Sequence, residues 1–239
     1  MSRITSLLAV STLTATAVRN WFNPKIQLVS IEGNIGAGKT TLLDELKKHY
    51  PSCTYVDEPV KKWQKLGYPS ILELFYTDPK RWSFTFETLT LITRMASLQI
   101  PISPIKRLLG RRCAVIAERS IFTSLNVFAQ VQEDRGMLSH TENAIYRYLS
   151  SILTGSFLNL DIKFVYVNTS PDVCYKRIQK RERSEEIPIQ LSYLEELDKK
   201  HIKWMSSTPY VLHIDGNQNY EQNPTQKRKN VELIKKFIR

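Results

Sequence analysis

Five short apolar runs, Ile26 to Ile31, Thr54 to Val56, Cys113 to Ala117, Ile162 to Val167 and Tyr210 to Ile214, recur along the chain between longer stretches of mixed polar and apolar residues. Strands buried on both faces of a parallel sheet read as continuous apolar runs, and the intervals are long enough to hold crossover helices. The pattern predicts an α/β fold of three layers, a parallel five-stranded sheet flanked by helices on both faces. One helix is predicted over Thr41 to His49. A longer one starts near Pro79 and is closed by Pro101, Pro104 and the basic loop to Arg112, because proline disfavours the helical conformation in the residue before it.

At 239 residues and 42% hydrophobic content the chain holds one such domain and is too short for two. The domain is placed at residues 24–239. Residues 1–23 read differently: they contain Arg3 and Arg19, are rich in Ser, Thr and Ala, and no acidic residue occurs before Glu32. Ile4, Leu7, Leu8 and Val18 recur there at roughly helical spacing, which predicts a mitochondrial transit peptide; a flexible N-terminal arm on a cytoplasmic protein is the alternative. No apolar run reaches membrane-spanning length, so no membrane association is expected.

The net charge of +11, from 34 Lys and Arg against 23 Asp and Glu, favours an anionic ligand. Nucleic acid is not expected, because the basic residues are spread over the helices except at Lys176 to Arg183 and Lys227 to Lys229. Cys53, Cys113 and Cys174 have no paired spacing, which fits reduced thiols in an intracellular protein. The four histidines lack ligand spacing, so zinc is not expected.

Directly after the first apolar run stands Gly33-Asn34-Ile35-Gly36-Ala37-Gly38-Lys39-Thr40, followed by Thr41 and a helix. Strand, glycine-rich loop and helix in that order form a phosphate cradle. Backbone N–H groups wrap the anion, the helix N-terminus adds positive potential, Lys39 reaches the β- and γ-phosphates, and the Thr40 hydroxyl can bind Mg²⁺. ATP as phosphate donor, with Mg²⁺, is the reading.

The second run ends in Asp57-Glu58-Pro59 and the third in Glu118-Arg119-Ser120, so both deliver charged groups to the edge of the sheet where open α/β folds bind ligands. Glu58 is the candidate general base for an attacking hydroxyl; an acidic surface turn is the plainer alternative. Glu118 could hold Mg²⁺, and Arg119 could bridge the acceptor oxygen and the phosphoryl group; a mutual salt bridge would be the structural use. Arg177, Arg181 and Arg183, before Ser184-Glu185-Glu186 and Pro188, have the make-up of a short Arg-rich lid that closes over phosphates, or of a solvated helix end.

These pieces together resemble the deoxyribonucleoside kinase family. The resemblance spans roughly Ile26 to Asp215 and rests on Ile31 to Ile35, Asp57-Glu58-Pro59-Val60 with Trp63, Leu72 to Tyr76, Asp78-Pro79-Lys80, Glu118-Arg119-Ser120, and Arg181 through Glu186. It implies transfer of the γ-phosphate of ATP to the 5′-hydroxyl of a deoxyribonucleoside. Glu58 is implied as the base, Arg119 as the 5′-hydroxyl and phosphate contact, and Glu118 as the magnesium partner. Tyr76 and Glu186 are implied to hold the 3′-hydroxyl, with Trp63, Phe86 and Phe128 around the base; core packing is the alternative for each aromatic. A homodimer and feedback inhibition by a deoxynucleoside triphosphate are implied as well.

The chain departs from the family pattern at Glu87, where Gln is usual, at Leu125-Asn126 in place of Arg-Tyr, at Ser124, a candidate substrate contact where Ala or Asp is common, and over Tyr148 to Phe157, which lacks the usual Trp. Glu87 and Arg94 lie two turns apart on one predicted helix face. An ionised Glu87 offers acceptors only, which suits the N1–H and N2–H₂ of guanine, with Arg94 donating to O6 or N7. Deoxyguanosine is therefore the expected preference, a Glu87–Arg94 salt bridge with no base contact being the alternative. A thymidylate-type nucleotide kinase would need further cations in the acceptor pocket. A non-catalytic structural relative would not need Lys39, Glu58, Glu118 and Arg119, all of which are present.

Overall fold

The computed structural model describes residues 26–99, 114–155, 160–218 and 223–238. The leader expected at residues 1–23, Cys113, and the proline-closed basic loop after the long helix lie outside the described residues. Five strands, β1 (Ile26–Glu32), β2 (Thr54–Val56), β3 (Val115–Glu118), β4 (Leu160–Asn168) and β5 (Val211–Asp215), form one sheet in the order β2-β3-β1-β4-β5. Every pairing is parallel; in the centre Val29 stands opposite Ile116 on one side and Lys163 on the other.

The helices are α1 (Lys39–His49), α2 (Ile71–Thr77), α3 (Pro79–Gln99), α4, α5 (His140–Thr154), α6 (Pro171–Arg181), α7 (Leu191–Ser206) and α8 (Pro224–Ile238). The run called α4 joins Ile121–Thr123, a wider π-helical turn at Ser124–Phe128, and Ala129–Asp134. A single turn at Val60–Trp63 follows β2, and a 3₁₀ turn at Ser184–Glu186 follows α6.

Both faces of the sheet are covered, which is why the strands carry apolar residues without alternation. Val29, Ile31, Ile116, Val165 and Val167 pack on α1, α7 and α8, where Leu42, Leu43, Leu46, Leu194 and Leu197 are buried. On the other face Leu28, Val115 and Ala117 meet Leu91, Met95 and Leu98 of α3 and Tyr146 of α5. Truncating one of these leucines to alanine costs about 2–5 kcal/mol.

Two strands are displaced from their predicted positions. β3 begins at Val115 and takes in Glu118, which pairs in register with Ile31. β5 begins after Tyr210, whose φ of 58° breaks extended geometry. The first displacement matters for chemistry, because it carries a carboxylate to the last position of a central strand.

Candidate functional site

The C-terminal edge of β1 turns directly into the phosphate loop. Gly33 and Gly36 have φ of 144° and 78°, and a Cβ on either would sit 2.7 Å from the Val167 carbonyl oxygen or 2.6 Å from that of Cys174. Only glycine meets both the backbone conformation and the close approach. Asn34 fastens the loop to α7: its Nδ2 donates to the Leu194 carbonyl at 2.8 Å, and its Oδ1 accepts from the Ile35 N–H. Ala37 is tied down through its carbonyl, which accepts from Thr169 Oγ1 and Arg177 Nη1.

Lys39 opens α1 and is 4% exposed, with Nζ donating to the Asn34 carbonyl at 2.7 Å. Burial, reinforced by Arg119, brings its ammonium down to about 8 against the opposing pull of Glu118 and Glu58. The adjacent Thr40 hydroxyl donates to Glu118, 2.9 Å from Oε1 and 3.0 Å from Oε2. Burial raises the Glu118 carboxyl above its usual range, with Lys39 opposing. Hydroxyl and carboxylate oxygens side by side beneath a phosphate loop are the donor set that suits a hard divalent cation such as Mg²⁺.

Glu58, at the end of β2, is gripped from two sides. Arg94 Nη2 donates to Oε1 at 2.5 Å and Arg119 Nη1 to Oε2 at 2.7 Å, with all three side chains nearly excluded from solvent. Burial alone would raise the Glu58 carboxyl, but Arg119, Arg94 and Lys39 outweigh it and hold it at about 2. Glu58 is therefore an ionised acceptor throughout the working pH range. Arg119 takes its aim from a left-handed backbone, φ 59°, at the end of β3, and its second nitrogen donates to the Gly33 carbonyl at 3.1 Å. Its guanidinium also lies 5.0 Å from the centre of the Phe128 ring.

Glu118 and Arg119 consequently form no pair with each other. Each is engaged elsewhere, Glu118 with Thr40 and Arg119 with Glu58, so the mutual salt bridge is replaced by two contacts across the cleft.

A cleft of about 1080 Å³ runs from the phosphate loop past Glu58 to an aromatic end. Gly36, Gly38, Lys39, Thr40 and Thr41 line the first part, and Trp63, Tyr76, Phe86, Glu87 and Phe128 the second. Trp63 meets Phe86 edge-on at 5.6 Å, Phe86 stacks on Phe75 at 4.5 Å, and Trp63 Nε1 donates to Thr93 Oγ1 at 3.0 Å. These rings are at once core and cleft wall. Ser124, expected at the substrate, is wholly buried and absent from the wall; it accepts a hydrogen bond from Arg94 Nη1 and so positions that guanidinium.

Glu87 and Arg94 do not pair. Arg94 donates to Glu58 and Ser124, while Glu87 Oε2 is buried without a hydrogen-bond partner among the described residues. Burial, with Arg94 opposing, pushes the Glu87 carboxyl up to about 8. Arg94 is thus not free beside Glu87, and burial favours the neutral form of that carboxyl.

The Arg-rich segment folds on itself. Arg181 Nε and Nη2 donate to the two oxygens of Glu186 at 2.6 and 2.5 Å, and Arg183 Nη1 lies 3.4 Å from the same carboxylate. Glu186 is 4% exposed and lines the cleft with Tyr76, whose phenol is raised by burial and by Glu186. Arg177 also lines the cleft, yet reaches the loop through the Ala37 carbonyl, a contact sequence spacing could not reveal.

One buried group escaped the sequence reading. Glu32 is fully buried and accepts from Ser30 Oγ at 2.6 Å, Ser120 Oγ at 2.9 Å and Thr123 Oγ1 at 2.5 Å. This knot ties the end of β1 to the turn that carries Arg119. Three hydroxyl residues close to the two strand ends were the available signal.

A family model described as deoxynucleoside kinase matches residues 29–239. Deoxycytidine kinase 2 of Gallus gallus is 32% identical over an alignment of 247 positions that covers 91% of this chain and 92% of that protein. A probable deoxycytidine kinase of Fowlpox virus is 34% identical, covering 88% of this chain and 87% of its own length. The mitochondrial deoxyguanosine kinase of Xenopus laevis is 30% identical over 82% of this chain and 79% of its own.

Proposed function

The chain belongs to the deoxynucleoside kinase family and phosphorylates nucleosides with ATP, and from that premise we propose how its residues divide the work. The observation that carries the proposal is one cleft with a phosphate loop at one end, aromatic rings at the other, and Glu58 between them.

The deoxyribonucleoside lies among Trp63, Phe86 and Phe128, with Tyr76 and Glu186 at its 3′-hydroxyl. Its 5′-oxygen then points to Glu58. As the 5′-oxygen bonds to the γ-phosphorus, the bond from that phosphorus to the β–γ bridging oxygen breaks, ADP leaves, and the 5′-hydroxyl proton passes to Glu58. Held at about 2, Glu58 is a weak base until Arg119 is shared with the phosphoryl oxygens. That sharing loosens Arg119's hold and raises the carboxylate's basicity as the proton needs a home. Lys39 neutralises the β- and γ-phosphates, and Arg181 and Arg183 add charge from the lid. Thr40 and Glu118 are the residues that would hold Mg²⁺, which supplies charge neutralisation on the phosphate oxygens when bound.

Three finer readings accompany this one. Deoxyguanosine is the preferred nucleoside when Glu87 is ionised. Ile145, Tyr148 and Ile152 on α5, with Ile92 on the adjoining α3, expose an apolar face that supports a homodimer. The leader directs the protein to mitochondria, as the name of the Xenopus relative states for that protein; a tagged full-length chain that stays cytosolic and uncleaved in cells would sink this.

The test is a steady-state comparison of the four natural deoxyribonucleosides and their monophosphates with ATP. Phosphorylation of nucleosides but not monophosphates supports the proposal. Preference for a monophosphate turns the reading to a nucleotide kinase, and no turnover with any nucleoside turns it to a non-catalytic relative.

A further inference from the structure

At the aromatic end of the cleft stands a carboxyl that forms no ion pair among the described residues. Glu87 is 1% exposed and lines the cleft, and no donor among the described residues meets its Oε2. Among the described residues the groups that face it are few. Arg94, on the same helix, directs its terminal nitrogens to Glu58 and Ser124. From α5 comes the Tyr146 phenol and from α7 the Tyr193 phenol, both close enough to feel the Glu87 charge. Tyr193 is itself engaged by Gln132. An ionised carboxylate in such surroundings is costly, and a proton removes the cost.

We infer that Glu87 meets the nucleobase as a neutral carboxylic acid whose neighbouring donor and acceptor fit the edge of any of the four bases, and that losing the proton makes the same residue a reader of guanine alone. The inference rests on the proposed placement of the base against Glu87. A protonated carboxyl carries one O–H donor and one carbonyl acceptor, the pattern a glutamine amide also offers. Thymine gives N3–H to the carbonyl and takes the O–H at O4. Cytosine and adenine take the O–H at N3 or N1 and donate their amino group. Guanine gives N1–H and takes the O–H at O6. An ionised carboxylate keeps only guanine, through N1–H and N2–H₂, and sets its charge against an oxygen or ring nitrogen of the others.

The position of the switch follows from the surroundings. Burial pushes Glu87 up to about 8, with Arg94 pulling the other way. Burial raises the Tyr146 and Tyr193 phenols above their usual range, so they keep their protons while Glu87 loses its own. Lys39 also comes down to about 8. It serves the phosphates of every reaction alike, so a ratio between two nucleosides cancels it.

The test measures kcat/KM for deoxyguanosine and thymidine in wild type and Glu87→Gln from about pH 6 to about pH 9, a span that brackets an acid shifted into this range. In wild type the deoxyguanosine-to-thymidine ratio should climb by about tenfold or more through pH 8, the size of one unpaired buried polar group, and in Glu87→Gln it should stay flat. A flat wild-type ratio with a different, equally flat ratio in Glu87→Gln overturns the proton switch while leaving the base contact standing. Flat and identical ratios in the two proteins bring down the base contact itself. Infrared difference spectra provide a readout free of turnover. A protonated-carboxyl carbonyl band present at pH 6, bleached towards pH 9 and missing from Glu87→Gln supports the inference, and its absence at pH 6 overturns it.

Discussion

The Thr40 hydroxyl touches both oxygens of the Glu118 carboxylate, at 2.9 and 3.0 Å, and so joins the start of α1 to the end of β3 directly below the phosphate loop. The contact depends on Glu118 being the final residue of a central strand. If these oxygens hold Mg²⁺, Glu118→Gln should raise the metal concentration for half-maximal rate by about tenfold or more and leave nucleoside affinity unchanged. Metal titrations of initial rates decide it; an unaltered requirement places the ion on other ligands.

Glu58→Gln keeps a hydrogen-bonding side chain between Arg94 and Arg119 but cannot take a proton. Turnover should fall by about 10² to 10⁴-fold with little change in nucleoside KM. A loss of less than tenfold in kcat would assign the proton to water.

Lys39 carries opposite consequences for stability and for rate. Its ordinary value is 10.5 and its folded value about 8, so between these the unfolded chain binds more protons and stability rises with pH through that window. Below it the buried charge is a standing cost. Lys39→Met should abolish turnover, raise the thermal midpoint at pH 7, and lose most of that advantage by pH 10.5. Thermal melts at both pH values test the sign, and a variant that is folded and still active would refute the phosphate role.

For Glu87 the linkage runs the other way. The folded carboxyl titrates at about 8 and the ordinary one at 4.5, so the folded state holds the extra proton and stability declines as pH rises from 4.5 to 8. Glu87→Gln and wild type should be nearly equal at pH 4.5. By pH 8.5 the variant should be ahead by a few kcal/mol, on the order set by a shift of this size. Urea unfolding at the two pH values measures it; a constant difference would mean the carboxyl is not shifted.

The apolar face on α5 invites a charge. Tyr148 and Ile152 are 67% and 56% exposed, so Ile152→Glu should leave the monomer fold intact. If two copies meet there, the variant should sediment as a monomer at concentrations where wild type is a dimer. Equal sedimentation of the two would move the interface elsewhere.

What the sequence disclosed divides along physical lines. The strands were legible because helices cover both faces of the sheet, and burial on both sides leaves no polar alternation to obscure them. The phosphate loop was legible because its chemistry is local, one strand end, one turn and one helix start. The grip of Arg94 on Glu58 was not, since the two residues come from a helix and a strand end brought together only by folding, and Arg94 had an equally plausible partner two turns away on the same helix face in Glu87. The charge state of Glu87 was hidden for a related reason. It depends on which neighbours stay away, and spacing records only which ones could come near. Glu32 stands inside the stretch Ile31 to Ile35 yet received no role, because its three hydroxyl partners arrive from β1 and from the turn after β3.

The strand order also has a consequence for how the protein comes into being. Of the described strands β1 is the first to leave the ribosome, yet its two neighbours are β3 and β4, and Val29 waits for both Ile116 and Lys163 before its two edges are hydrogen-bonded. Non-local parallel pairing of this kind is slow, and the unpaired apolar edge is prone to aggregation meanwhile. The phosphate loop hangs from that strand, and Gly33 and Gly36 rest against carbonyls of Val167 and Cys174. Its packing is completed only after β4 and the start of α6 have emerged, so a nascent chain halted before β4 would carry the phosphate-loop residues without the backbone they rest against.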